Sequence, residues 1–169
     1  ALDLPSNLGL SECRKSWIQS PAEASLFITS LIALRISSDS DNELNKLKRI
    51  QLIADYIDSR QIEINKFNAS NNVDKSLAIN GRNITNFGLY RKYITQYLET
   101  HTGINKDMIL LCRQLQPTSQ GMPLEIYAFS KDQRFEQYEH IMADIFDHII
   151  ASIAYFDLEL FEITTEKSN

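Results

Sequence analysis

The stretch His140-Ile-Met-Ala-Asp-Ile-Phe-Asp-His148 places two histidines and two aspartates within nine residues. On an α-helix His140, Asp144 and His148 lie one turn apart, the spacing at which imidazole and carboxylate can share a metal ion. Asp144 and Asp147 add a carboxylate pair of the kind that general acid–base chemistry uses. A helical projection argues against both. With Tyr138 at zero, Tyr138, Ile141, Met142, Ile145, Ile149, Ile153 and Phe156 fall within about 60° on either side, a continuous apolar stripe. Asp147, His140, Asp144 and His148 fall at roughly 180°, 200°, 240° and 280° on the same wheel. The polar quartet is therefore expected to face water or a neighbouring subunit. Such a face offers ligands without an enclosing pocket, and no source of a tuned carboxylate pKa. No catalytic residue, cofactor-binding residue or metal ligand is assigned. The chain has no GxSxG, no P-loop, no GxGxxG after a strand and no HExxH.

The elements that must position these residues follow from periodicity. Leu10 to Gln19 reads as a short helix with Ser11 as its cap, ended by Ser20-Pro21. Leu26 to Ile36 is β-rich and apolar in both phases, the pattern of a strand covered on both faces. Leu44, Leu47, Ile50, Ile53, Ile57 and Ile64 then recur at helical spacing, so a helix is predicted from Asp41 to about Lys66, with room for one break. Asn68 to Gly81 is Asn/Ser-rich and reads as a surface loop. Thr85 or Asn86 caps a helix whose apolar face is Phe87, Tyr90, Ile94, Tyr97 and Leu98, with Gly103 as its stop. Asp107–Leu115 and Met122–Phe129 read as an antiparallel pair joined by a Pro117–Gly121 turn. Asp132–Phe156 is the longest helical pattern, and Leu158–Ile163 a last strand.

From Leu26 onward this order is β-α-β-β-α-β once an insertion at about 37–83 is set aside. The expectation is an α+β fold of the ferredoxin-like, split β-α-β-β-α-β kind, with two helices on one face of an antiparallel sheet. The other sheet face then needs a cover, such as another subunit.

Bulk properties bound the function. The chain has 169 residues, 43% hydrophobic and 23% charged, with only five Gly and four Pro, as expected of an ordinary globular fold rather than a turn-rich all-β one. Its net charge is −5, and its densest basic runs, Arg14-Lys15 and Lys46-Leu-Lys-Arg49, are short. No one-sided basic footprint for nucleic acid is present. Cys13 and Cys112 belong to no CxxC pair, which fits a reducing compartment better than a disulfide framework. Ala1–Gly9 lacks the charged start and apolar run of a signal peptide. Ser25–Ile36 is about a dozen residues long, too short to span a bilayer. A soluble piece is expected, and the sequons at Asn68 and Asn83 are not expected to be used.

Several blocks resemble a known family. Ile84-Thr-Asn-Phe-Gly-Leu-Tyr-Arg-Lys-Tyr-Ile-Thr-Gln-Tyr-Leu98 is similar to the "TNIGTFRAYLxxYL" helix of the YbdG-like branch of the small-conductance mechanosensitive channel (MscS) family. Lys106-Asp-Met, Arg113-Gln-Leu, Gly121-Met-Pro-Leu-Glu-Ile-Tyr-Ala-Phe129 and Ala143-Asp-Ile-Phe-Asp-His148 resemble its "KDM…VRQL…GLPLEIYxF…ADIFDHI" run, in the same order. Ser11–Trp17 is similar to "ESFKNW", and Tyr56–Asn65 to "YLxSRHQEIN". Where the family carries the basic stretch "GGRRIKR", this chain has the shorter, uncharged-to-acidic Ile18–Ala24.

The resemblance implies the cytoplasmic C-terminal part of a bacterial inner-membrane channel, assembled as a homo-heptamer. The channel would open under membrane tension and release ions and small solutes during hypo-osmotic shock. Residues 1–25 would then be the tail of a β-rich ring and a transition helix, 26–164 the ferredoxin-like wall of a cytoplasmic cage, and 165–169 a disordered tail. Membrane contact would come only through transmembrane helices outside this chain. No cofactor, metal or nucleic-acid partner is implied. The competing expectation is a ferredoxin-like regulatory domain that binds a small molecule.

Overall fold

Buried Cys112, Leu124 and Ile126 mark the inner face of the sheet, and amphipathic helices close over it. A computed structural model describes residues 25–32, 40–77, 79–119 and 121–161. The expectations for the helix at Leu10–Gln19, the β-ring tail before Ser25 and the tail at 165–169 lie outside the described residues. The chain is α+β. Strands β1 (Ser25–Ile32), β2 (Leu111–Gln114), β3 (Met122–Tyr127) and β4 (Glu159–Leu160) form one sheet in the order β2-β3-β1-β4. All three pairings are antiparallel. The helices are α1 (Ser40–Lys48), α2 (Ala54–Ser70), α3 (Asn86–Thr100) and α4 (Phe135–Ser152), with 3-10 turns at Gln51–Ile53 and Ile153–Phe156.

The predicted 41–66 helix is broken, and the break lies at Arg49–Ile53. Ile50 is extended there (φ −78°, ψ 101°), which lets Ile53 and Ile57 both reach full burial. No glycine or proline marks the site; core packing sets it. Helix α2 also runs four residues past the expected end and carries Asn68 into the interior. Asn68 Nδ2 donates to the Arg82 carbonyl and its Oδ1 accepts from the Arg82 amide, both at 2.9 Å. The stretch expected to be a free surface loop is therefore fastened to α2. Gly81 makes the close approach possible: at φ +69°, a Cβ there would lie 2.4 Å from Asn68 Oδ1.

Helix α3 begins as expected, with Thr85 Oγ1 accepting from the Gly88 amide at 3.1 Å. It ends two residues before Gly103, at the C-cap His101. Strand β2 is shorter than the predicted 107–115 run. Asn105 Oδ1 accepts from the Asp107 amide at 3.0 Å, a local turn that delays the extended backbone. Among the described residues, one core joins Phe87, Tyr90 and Ile94 of α3 to Cys112 of β2, Leu124 and Ile126 of β3, and Ile145 and Ile149 of α4. Each such side chain contributes about 1.5–3 kcal/mol by leaving water. Cys112 is a free, buried thiol whose pKa burial pushes up to about 12, so it acts as a small apolar side chain. Among the described residues, no helix is long and apolar enough to cross a membrane.

Candidate functional site

Tyr90, Tyr93, Tyr97 and His101 recur at three- and four-residue steps along α3, and so line one side of it. That side meets α4 where Asp144, His148 and Ser152 do the same. The helices are stitched at three levels. At the bottom, the fully buried Tyr90 hydroxyl donates to the Ile149 carbonyl at 2.6 Å, and Ser152 Oγ donates to the same carbonyl at 2.8 Å. In the middle, Tyr93 Oη and His148 Nε2 are 2.6 Å apart, and the His148 ring stacks on Tyr97 with centroids 3.9 Å apart and planes 7° apart. At the top, His101 Nε2 lies 3.0 Å from Asp144 Oδ2.

The hydrogen bonds define proton positions. The Gly103 amide donates to His101 Nδ1 at 3.1 Å, so that nitrogen is an acceptor and Nε2 carries the proton given to Asp144. Burial raises the Tyr93 pKa, and burial followed by the nearby Asp144 and Tyr93 charges pushes that of Tyr97 up to about 12. Burial also drives Tyr90 upward. All three phenols are thus fully protonated at neutral pH. Tyr93 Oη and His148 Nε2 share a hydrogen bond whose direction is set by the His148 tautomer. These side chains satisfy one another's hydrogen bonds. No phenol is primed as a base, and the Ser152 hydroxyl points at a carbonyl rather than at His148.

Beside this seam lies a cleft of about 250 Å3 lined by Ile50, Tyr93, His148, Ala151, Ser152, Tyr155 and Phe156. Its walls are mainly apolar, with the Tyr93–His148 pair as the polar edge. Ile50 comes from the break between α1 and α2, so the inserted helices complete one wall.

The four residues expected on a polar face separate in the structure. His140, Asp144 and Asp147 are exposed, while His148 is half-buried against α3. That placement of His148 corrects the expectation of a solvent- or subunit-facing residue. At about 280° on the helical wheel it is only about 80° from the stripe centre, which is the flank on which a neighbouring helix packs. Asp144 reaches His101 but keeps 70% of its side-chain exposure, so that hydrogen bond is water-screened and weak. Among the described residues, no group of three or more His, Cys, Asp or Glu side chains is arranged to hold a metal ion. Sequence reasoning missed Tyr93 and His101; their only signal is the aromatic repeat along α3. No family model matches the sequence.

Proposed function

We propose that this chain is the cytoplasmic cage-forming part of a mechanosensitive channel of the MscS kind, built on a ferredoxin-like split β-α-β-β-α-β core. The intact protein opens under membrane tension, a shift in population toward a wider state, and releases ions and small solutes on hypo-osmotic shock. This part assembles as a homo-heptamer on the cytoplasmic side of the bacterial inner membrane and supplies the vestibule wall. It has no turnover.

One observation carries the reading. The blocks that resemble the family bind each other. The 84–98 helix meets the 143–148 block through Tyr93 and His148. It meets the 106–115 block through Lys106 Nζ, which donates to the Leu98 carbonyl at the helix C-terminus, and through Arg91, which donates to Gln114 at 2.9 Å. The 106–115 and 121–129 blocks pair as β2 and β3, cross-linked by Arg113 and Glu125. The antiparallel strand order β2-β3-β1-β4 is compatible with a ferredoxin-like arrangement and supports the reading, and both helices contribute to one core. The reading requires that the gene encode apolar spans of about 20 residues upstream of Ala1. Sequencing that region checks it, and a gene without such spans removes the proposal.

The cleft beside Tyr93 and His148 supports a second reading, a regulatory domain that binds a small, largely apolar molecule. A thermal-shift screen of metabolites tests it. Saturable one-to-one stabilisation that His148→Ala abolishes would favour this reading over the channel.

A further inference from the structure

The segment fastened to α2 holds the chain's one Asn-Gly pair, Asn80-Gly81. An asparagine followed by glycine is chemically labile, because the next backbone nitrogen can attack the side-chain amide carbon and no side chain shields that nitrogen. Here the fold itself keeps the nitrogen bare. A Cβ at position 81 would lie 2.4 Å from Asn68 Oδ1 and 2.7 Å from Val73 Cγ1, so the grip of Asn68 on the segment excludes a side chain there. Gly81 is exposed, and among the described residues nothing accepts its amide N–H. Lys75 Nζ donates to the Asn80 carbonyl at 2.8 Å. That oxygen collects the negative charge when the Gly81 N–H is lost, so the ammonium favours the attacking form of the peptide. One contact opposes the reaction: Asn80 Nδ2 donates to the Asp74 carbonyl at 2.7 Å and must let go. A single hydrogen bond at an exposed site slows the step by no more than about tenfold.

We propose that Asn80 is a site of spontaneous modification, converted with loss of ammonia to aspartate and isoaspartate, and that the conversion releases the segment from α2. The Gly81 nitrogen gives its proton to hydroxide and bonds to Asn80 Cγ. The Cγ–Nδ2 bond breaks, and the nitrogen leaves as ammonia with a proton from water, closing a succinimide ring. Water then opens the ring at either carbonyl. Opening at Cγ gives aspartate; opening at the main-chain carbonyl gives isoaspartate, with the chain now running through the former side chain. Either product removes the amide that donates to the Asp74 carbonyl and adds a negative charge. Isoaspartate also inserts an extra carbon into the backbone just before Gly81. That displaces the Arg82 peptide groups, which Asn68 holds by both amide and carbonyl. No step involves the helix seam or the sheet, so this proposal and the channel reading can each fail without the other.

Incubation of the 169-residue chain in mildly alkaline buffer tests it, followed by trypsin, which frees Ser76–Arg82 with Asn80 as its sole asparagine. Mass spectrometry reads the exchange of amide for acid, labelling by isoaspartyl methyltransferase reports isoaspartate, and amide hydrogen exchange on the intact protein follows Arg82. The expected result is isoaspartate at Asn80 before any other asparagine, at a rate within about tenfold of that in a synthetic Ser76–Arg82 peptide. The Arg82 amide is expected to exchange at least about tenfold faster once Asn80 is converted. Asn80→Gln, which must close a larger ring, is expected to stay unmodified and to show the same Arg82 exchange before and after incubation. Slower conversion than this, or conversion first at another asparagine, overturns the proposal. Arg82 exchange that conversion leaves unchanged overturns the release from α2.

Discussion

The α3–α4 seam and the β2 edge show two ways of treating polar groups. In the seam, Tyr90, Tyr93, His101 and His148 each bond a partner on the facing helix, Ser152 bonds the Ile149 carbonyl that Tyr90 shares, and aromatic rings fill the space between. Among the described residues, no buried side-chain nitrogen or oxygen lacks a hydrogen bond. Among the described residues, nothing pairs with the outward backbone groups of the β2 edge, and the side chains of Leu111 and the adjoining Ile109 are exposed. The difference teaches where function belongs. A satisfied seam positions helices and resists change, whereas an unsatisfied edge is where a partner gains most.

The largest effect is expected from emptying the seam. Ile149→Ala removes a fully buried side chain between the helices and should lower stability by about 2–5 kcal/mol in urea unfolding. A loss under 1 kcal/mol would mean that the two helices are not packed together as described.

Next is Tyr93→Phe, which leaves the ring stacking and deletes the hydroxyl that bonds His148. It should cost about 0.5–1.5 kcal/mol. A double-mutant cycle with His148→Ala should show that much of the loss is shared. Additive losses would show that the two side chains act independently.

The alkaline limb of stability sharpens the same contrast. The Tyr97 phenol titrates near 10 when unfolded and at about 12 when folded, because burial and the Asp144 carboxylate oppose its charge. Its contribution is complete below pH 10 and is lost as pH rises toward 12, since the unfolded chain releases the proton first. Melting temperature should fall across pH 10–12, and fall less steeply in Tyr97→Phe. Parallel profiles for the two proteins would remove Tyr97 as a cause.

The smallest effect belongs to the edge. Ile109→Lys should change monomer stability by less than about 0.5 kcal/mol, because the side chain is already in water. A larger loss would mean that Ile109 packs within its own chain.

Much of this is legible in the sequence, and the reasons for the rest are physical. The stripe from Tyr138 to Phe156 identifies the buried side of α4 because a helix repeats every few residues, and Ile145, Ile149, Ile153 and Phe156 are all buried. Thr85 is readable as a cap because its hydroxyl acts within one turn. His148 misleads because its angle leaves it on the flank, and only the position of α3 decides whether that flank is wet. His101 meets Asp144 across 43 residues of sequence, so no local pattern announces the pair. Asn68 lies in a polar run typical of loops, yet becomes buried because it alone supplies both a donor and an acceptor to Arg82. The break at Ile50 carries no helix-breaking residue and comes from tertiary packing.

The channel proposal is tested most directly by patch-clamp recording of the whole gene product that contains residues 1–169, in membranes lacking other mechanosensitive channels. The expected result is a current that appears with applied suction and vanishes on its release. Patches that hold the protein and stay silent up to the tension at which the bilayer ruptures would contradict it.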